Sequence, residues 1–509
     1  MSVVKFGRKG LFAFFCAFSV LVVTGCSEDD GTPSDTTPPV ISNLSHLNQE
    51  VINGNRSITF SVDVSDESPV SVSILYNDQP VTVLTNGNSY SVSLTLNDGT
   101  DNVVEIIALD QSDNTTSQSI TLDYAFLTLT NGQDASVVIG QPDFVSTGFN
   151  RGGGSTAGAN TLWGPKGVMV INDKLYIVDN SNNRVLGFNK LPAAADGDVN
   201  ADFVIGQLSF TSNDGGVSSD QLVNTNVIAS DGTNLLVGLD RQIKITQGVY
   251  SSTNTRIHRW SNAPSGQIAA DSVIGQLEFE PVSEIRGCEN NTFYSNVYGM
   301  YVAGGKLFIS DTYNHRILVW NSVPTTNGVA ADFVLGQTGF NSCAANDTNN
   351  DQVLEITAGT LNQPGPIWSD GEKLIVSDML NYRVLIWNTL PTESGQLADV
   401  VIGQDGFDTD LPPQEVNGSS FKPSGIVSNG TQLFVSDINN GYSNGRVLVW
   451  DSMPASNLAA DKVLGKSSLT SSVNATGELK LSRVEAMFIH NNKLIVSDTQ
   501  NHRVLIFSN

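Results

Sequence analysis

Apolar and polar residues alternate with period two between positions 40 and 124, and nowhere does the chain adopt the three-to-four spacing of an amphipathic helix. Turn-forming pairs such as Asn-Gly and Asp-Gly interrupt the alternation, so the predicted elements are short antiparallel strands. Between positions 40 and 124 the runs read VISNLS, SITFSVDVSD, VSVSILYN, SYSVSLTL, NVVEIIALD and SQSITLDY. Six or seven strands in so short a stretch predict a β-sandwich over residues 40–126.

From about position 134 the pattern becomes periodic. KLFISDTYNHRILVW from Lys306, followed by DFVLGQ from Asp332, is echoed by KLYIVDNSNNRVLGF from Lys174, KLIVSDMLNYRVLIW from Lys373, QLFVSDINNGYSNGRVLVW from Gln432 and KLIVSDTQNHRVLIF from Lys493. With a stretched copy between Asn234 and Trp260 there are six. Each copy parses as four antiparallel strands, the pattern of one propeller blade, which buries its apolar faces only against its neighbours. The fourth strands end at Gly140, Gly206, Gly275, Gly336, Gly403 and Gly465; the first precedes any complete blade, and the last blade stops at Asn509 without a fourth strand. Strand 136–141 is therefore expected to complete the last blade and close a six-bladed ring over residues 134–509, leaving no edge exposed.

The repeated Asp-x-x-Asn-x-Arg-Val/Ile signature resembles that of the NHL propellers, over roughly three quarters of the chain. The 40–126 segment, with DTTPPVI at its entrance and ALDQSDNTTSQSITL near its end, resembles bacterial immunoglobulin-like modules, which implies a stalk. The fold class expected is all-β: a six-bladed NHL-like propeller preceded by a small immunoglobulin-like sandwich.

The N-terminus changes the cellular picture. Lys5, Arg8 and Lys9 precede an apolar run from Leu11 to Val23, shorter than the ~20 residues of a spanning helix. Residues 1–25 read as a signal peptide. Val23-Thr24-Gly25-Cys26 resembles a bacterial lipobox, which implies cleavage before Cys26 and a lipid on that residue. Residues 26–39, rich in Asp, Thr, Ser, Gly and Pro, read as a tether. Ser27-Glu28-Asp29-Asp30 resembles the acidic start of outer-membrane lipoproteins, so the expected location is the bacterial cell envelope, with the membrane reached through the lipid. The net charge of −25 excludes nucleic acid as a partner. In an exported chain the pair Cys288 and Cys343, on successive loops, is a candidate disulfide.

Candidate chemistry is sparse. The pairs Asp179 and Arg184, Asp240 and Arg256, Asp311 and Arg316, Asp378 and Arg383, Asp437 and Arg446, and Asp498 and Arg503 recur in every copy, and a set repeated six times is scaffold. The aromatics Phe188, Trp260, Trp320, Trp387, Trp450 and Phe507 fill space between sheets by the same logic. His315 and His502 read as turn residues, because sister copies carry Asn183 and Tyr382 there. Arg151-Gly152-Gly153-Gly154 lacks the ending of a phosphate loop, and hydrolase, metalloprotease and EF-hand templates stay unfilled, so no catalytic residue is assigned.

What varies between copies is where function is expected. The long loops Gln141 to Gly164, Leu277 to Ser295, Thr338 to Gln363 and Asp405 to Ser420 share one face of the disc. Just before each first strand, Lys166, Thr225, Tyr298, Gly365, Ser424 and Glu485 are expected to ring the central mouth. Lys166, Tyr298, Ser424 and Glu485, with Trp163 and Trp368, are the candidate ligand contacts. The expected task is binding of an envelope or extracellular partner, a protein or a glycan. No cofactor motif appears. A competing reading, by analogy with lactonase- or lyase-type propellers, places calcium or zinc at the mouth on Glu485, Asn226 and Asp370.

Overall fold

In a computed structural model the described residues are 35–509, apart from 53–56, 98, 125, 217, 241–242, 246–248, 252–254, 280–287, 294–295, 348–350, 352, 439–444 and 472–479. The signal peptide, Cys26 and most of the tether lie outside them. Among the described residues no helix is long and apolar enough to cross a membrane.

Period-two alternation becomes two stacked sheets in the N-terminal module. One orders Val40–Ser42, Ser57–Ser65, Ser89–Thr95 and Leu84–Asn86; the other orders Glu50–Ile52, Thr115–Tyr124, Gly99–Leu109, Ser71–Tyr76 and Gln79–Pro80. Alternate residues such as Phe60, Val62 and Val64 on one sheet and Val104, Ile106 and Ala108 on the other are fully buried between them.

The repeats fold into six four-stranded antiparallel sheets. Blade three shows the plan: Val297–Ala303 is innermost, followed outward by Lys306–Asp311, Arg316–Trp320 and Phe333–Leu335. The innermost strands of the other blades are Pro165–Ile171, Thr225–Ser230, Pro364–Ser369, Pro423–Ser428 and Val484–His490, and each packs against its counterparts on both sides around a central axis. The ring closes as the sequence predicts: Val137–Ile139 pairs with Arg503–Ser508, in the register Val137 opposite Ile506 and Ile139 opposite Val504.

The aromatic at the end of each third strand is buried, at 1–3% exposure. The Trp260, Trp320, Trp387 and Trp450 indoles donate to the carbonyls of Ile268, Val329, Gln396 and Leu458, which satisfies their one polar atom.

Five blades contribute a buried Asp-Arg pair across their second and third strands; in blade two the expected Asp240–Arg256 pair is not made, because Leu239 takes the register position opposite Arg256 and Asp240, one residue further on, accepts from Thr255 Oγ1. Arg316 Nε donates to Asp311 Oδ2 at 2.9 Å, and its remaining nitrogens donate to the carbonyls of Phe340 and Glu289 on the flanking loops. In blades one, four, five and six the second carboxylate oxygen receives a backbone N–H from just before the innermost strand, as Asn362 does for Asp378 at 2.7 Å. The pair therefore pins the long loops to the rigid sheet. His315 and His502 do more than occupy a turn. Each adopts the left-handed conformation, and its Nδ1 accepts a backbone N–H from the next blade: Gln363 N at 3.1 Å and Gly164 N at 3.0 Å. Asn183 Oδ1 accepts from Asn224 N in the same way.

The sandwich docks on one end of this disc. Gln432 at the entry to Leu433–Asp437 accepts from Leu127 N and donates to Leu127 O, Tyr124 Oη lies 3.1 Å from Thr431 Oγ1, and Leu127 and Leu129 join the core of blade five. Gln432 is at the opposite end of its strand from Asp437, so the face bearing the Asp-Arg turns and the long loops points away from the sandwich.

Candidate functional site

The innermost strands all start on the loop-bearing face, so their second residues surround the axial opening there. Those residues are Lys166, Asn226, Tyr298, Gly365, Ser424 and Glu485. Five are the expected ones. In blade two the position belongs to Asn226 and not to Thr225, which pairs with Leu239 and is wholly buried.

The opening leads into a cavity of about 270 Å³. Its rim carries Lys166, Asn226, Tyr298 and Glu485, joined by Arg483 and Lys422. Its deeper wall is apolar, with Met169, Ile228, Met300, Ile367, Ile426 and Met487. Four of the chain's six methionines line it, counting Met379. Unbranched thioethers give a floor that repacks around ligands of differing shape.

The rim is tied into one network. Lys166 Nζ donates to Asn226 Oδ1 at 2.9 Å, lies 3.9 Å from Glu485 Oε2, and sits 5.9 Å from the centre of the Tyr298 ring. Arg483 Nε is 2.5 Å from Glu485 Oε1. Burial, and then the neighbouring Tyr313 and Glu485, push the Tyr298 phenol above its ordinary range, so it remains a protonated donor. Two cations on one carboxylate leave the rim with a surplus of positive charge in an acidic molecule.

Ser424 also faces the cavity, but its hydroxyl is committed: it lies 2.8 Å from Ser436 Oγ and donates to Val484 O, tying blade five to blade six. Trp163 is half-buried on the same face, outside the cavity, stacked on Phe149 with centroids 4.6 Å apart. Trp368 does not fit its expected role. It is 5% exposed and packed into the core, because its position along the innermost strand directs it between the blades.

The metal-bearing alternative loses its geometry here. Asp370 lies beyond the far end of Pro364–Ser369, on the opposite face, where its Oδ1 closes a turn by accepting from Glu372 N and Lys373 N. Asn226 Oδ1 receives Lys166 and Asn180, and Glu485 is held between two cations. Among the described residues, the carboxylates that converge within 4.8 Å are Asp35, Asp66 and Asp110, in the sandwich.

Cys288 and Cys343 are bonded, with Cα atoms 5.9 Å apart, and join the loop entering blade three to the loop entering blade four. Arg151 on the Gly-rich loop pairs with Asp198, Nη1 to Oδ2 at 2.7 Å, which fixes that segment as scaffold.

No family model and no curated relative matches the chain. Among solved structures it is similar to a "putative phosphatase" of Bacteroides thetaiotaomicron, at 10% identity and TM-score 0.38, covering 93% of this chain and 97% of that one. It is also similar to an auxiliary nutrient binding protein of Bacteroides ovatus, at 12% identity and TM-score 0.35, covering 93% and 99%. Over 17% of this chain and 48% of the other, it is similar to fibronectin(III)-like modules of Clostridium thermocellum CbhA, at 20% identity and TM-score 0.15. The fold assignment rests on the sheets themselves.

Proposed function

We propose that the protein is an exported binding protein of NHL-like architecture, held to the bacterial envelope by a lipid on Cys26. Its propeller mouth receives the end of an envelope or extracellular partner, a glycan or a protein segment. One observation carries the reading: a charged rim built from Lys166, Arg483 and Glu485 surrounds an adaptable methionine floor, on the face turned away from the sandwich. A concave site with a few convergent polar groups over apolar walls is the usual form of a ligand pocket. In this reading the sandwich and tether supply reach, and the Cys288–Cys343 bond shapes the loops around the mouth.

The test is a glycan and peptide panel screened against the purified protein and its Glu485→Ala and Tyr298→Ala variants. Binding that both substitutions weaken supports the reading. Ligands retained at full affinity by both variants would remove the mouth as their site.

A further inference from the structure

Blade two departs from its sisters at two adjacent positions of its third strand. Where the other copies carry Leu186, Leu318, Leu385, Leu448 and Leu505, it has His258; where they carry Gly187, Val319, Ile386, Val449 and Ile506, it has Arg259. Successive strand residues face opposite sides of a sheet. Arg259 accordingly enters a separate cavity, of about 500 Å³, between blades two and three on the face opposite the mouth. Ser230, Asp231, Asn234 and Thr325 line it beside the apolar Val302, Ala303 and Val323 and the Gly304–Gly305 turn.

Two polar groups in this cavity have unmet needs. Arg259 is 7% exposed, its Nε is buried without a partner, and among the described residues its guanidinium makes no hydrogen bond or ion pair. Asn234 donates through Nδ2 to Asp231, but its buried Oδ1 accepts nothing. The two nearby carboxylates are engaged elsewhere. Asp231 accepts from Thr233 N and Asn234 N in its own turn, and Asp271 Oδ2 accepts from Ser261 N and Oγ. A buried guanidinium whose neighbouring carboxylates are hydrogen-bonded to other groups keeps its Nε unfilled, and one added against the repeat's apolar preference points to an anion that completes it.

We propose that this cavity binds a small hydroxycarboxylate or uronate. The planar carboxylate pairs with the Arg259 guanidinium, and an adjacent hydroxyl donates to Asn234 Oδ1. A single negative charge fits better than a phosphate dianion, because Asp231 and Asp271 lie close by. The volume is ample for one sugar acid. The site is independent of the mouth and of the reading given above.

Calorimetric titration of the purified protein with sodium glucuronate, sodium D-lactate and uncharged glucose tests it, alongside Arg259→Val and Asn234→Ala. The expected result is saturable binding of at least one of the two carboxylates, none of glucose, and a roughly tenfold or greater loss in each variant, the scale of a lost charge-assisted hydrogen bond. The wild-type titration needs no variant to fold. Absence of carboxylate binding, equal binding of glucose, or undiminished affinity in Arg259→Val and Asn234→Ala overturns the proposal.

Discussion

Lys166 and Glu485 face each other at 3.9 Å across the seam where blade one meets blade six. They are far apart in the chain and come together only because the ring closes. Glu485 also holds Arg483, so its removal leaves two cations unneutralised in a partly enclosed rim. Glu485→Ala is expected to weaken mouth ligands about tenfold or more while changing global stability by no more than ~1 kcal/mol, since both partners retain some water. Titration calorimetry beside urea denaturation separates the two. A large stability loss with unchanged affinity would recast the rim as scaffold.

The closing strand has a heavier structural duty. Ile139 is 2% exposed and packs with Ile495, Val504 and Ile506 in the core shared by blades six and one. Ile139→Ala is expected to destabilise the propeller by about 2–5 kcal/mol, the range for a buried large-to-small change. Urea unfolding measures this, and limited proteolysis should show earlier cutting at the seam.

The third expectation concerns acid. Burial without any hydrogen bond pulls the His258 imidazole down to about 3, and Arg256 adds to the effect. His315 and His502 are also lowered by burial, and each uses Nδ1 as an acceptor, which protonation removes. For each the folded pKa lies below the unfolded value near 6.5. Their contribution is therefore fully present above about pH 6.5 and is lost as pH falls towards the folded pKa. For His258 alone the slope is about 1.4 kcal/mol per pH unit below pH 6. Melting temperatures recorded between pH 7.5 and 4.5 should fall accordingly.

Substitution at His258 isolates its share. Leucine stands at this position in every other blade, so His258→Leu removes two unpaired buried nitrogens and restores the repeat. The change is expected to stabilise the protein by about 1–3 kcal/mol and to flatten the acid limb of the pH profile. A destabilised variant would mean that the contacts of His258 with Trp260 and Phe279 outweigh its unmet polarity.

What the sequence made legible, and what it hid, follows from the repeat. Blade count, the closing strand and the buried aromatics are each written six times, so comparing copies reads them directly; the Asp-Arg scaffold reads correctly in five copies and fails in blade two, where Leu239 stands opposite Arg256. The mouth was legible where strands align without gaps, as at Lys166, Tyr298 and Glu485. It failed at Thr225, which pairs with Leu239 and is wholly buried. Trp368 misled because its side chain points between blades, and strand direction around an irregular pairing is set by the register shift between Pro364 and Ile367. Arg483 is polar, next to a varying position, and could have been found by asking which neighbours neutralise Glu485. Arg259 was visible as a charge in an otherwise apolar column, yet only the cavity beside it gives the departure a meaning.

The cystine offers the last expectation. Cys288 and Cys343 are separated by 55 residues, so the bond restrains a long loop of the unfolded chain. The chain-entropy model puts that restraint at about 3–4.5 kcal/mol, an upper figure for an engineered or native bridge alike. Both loops are also anchored without the cystine, because Arg316 donates to Glu289 O on one and to Phe340 O on the other. Reduction should therefore lower the melting temperature without abolishing the propeller. The Cys288→Ser, Cys343→Ser double variant is expected to keep its far-ultraviolet circular dichroism and to lose up to that amount in urea unfolding. Its ligands at the mouth should dissociate faster, since the loops beside Tyr298 and Tyr313 would sample more conformations. Unchanged stability in reductant, together with two titratable thiols before reductant is added, would show that the two sulfurs are not bonded in the purified protein.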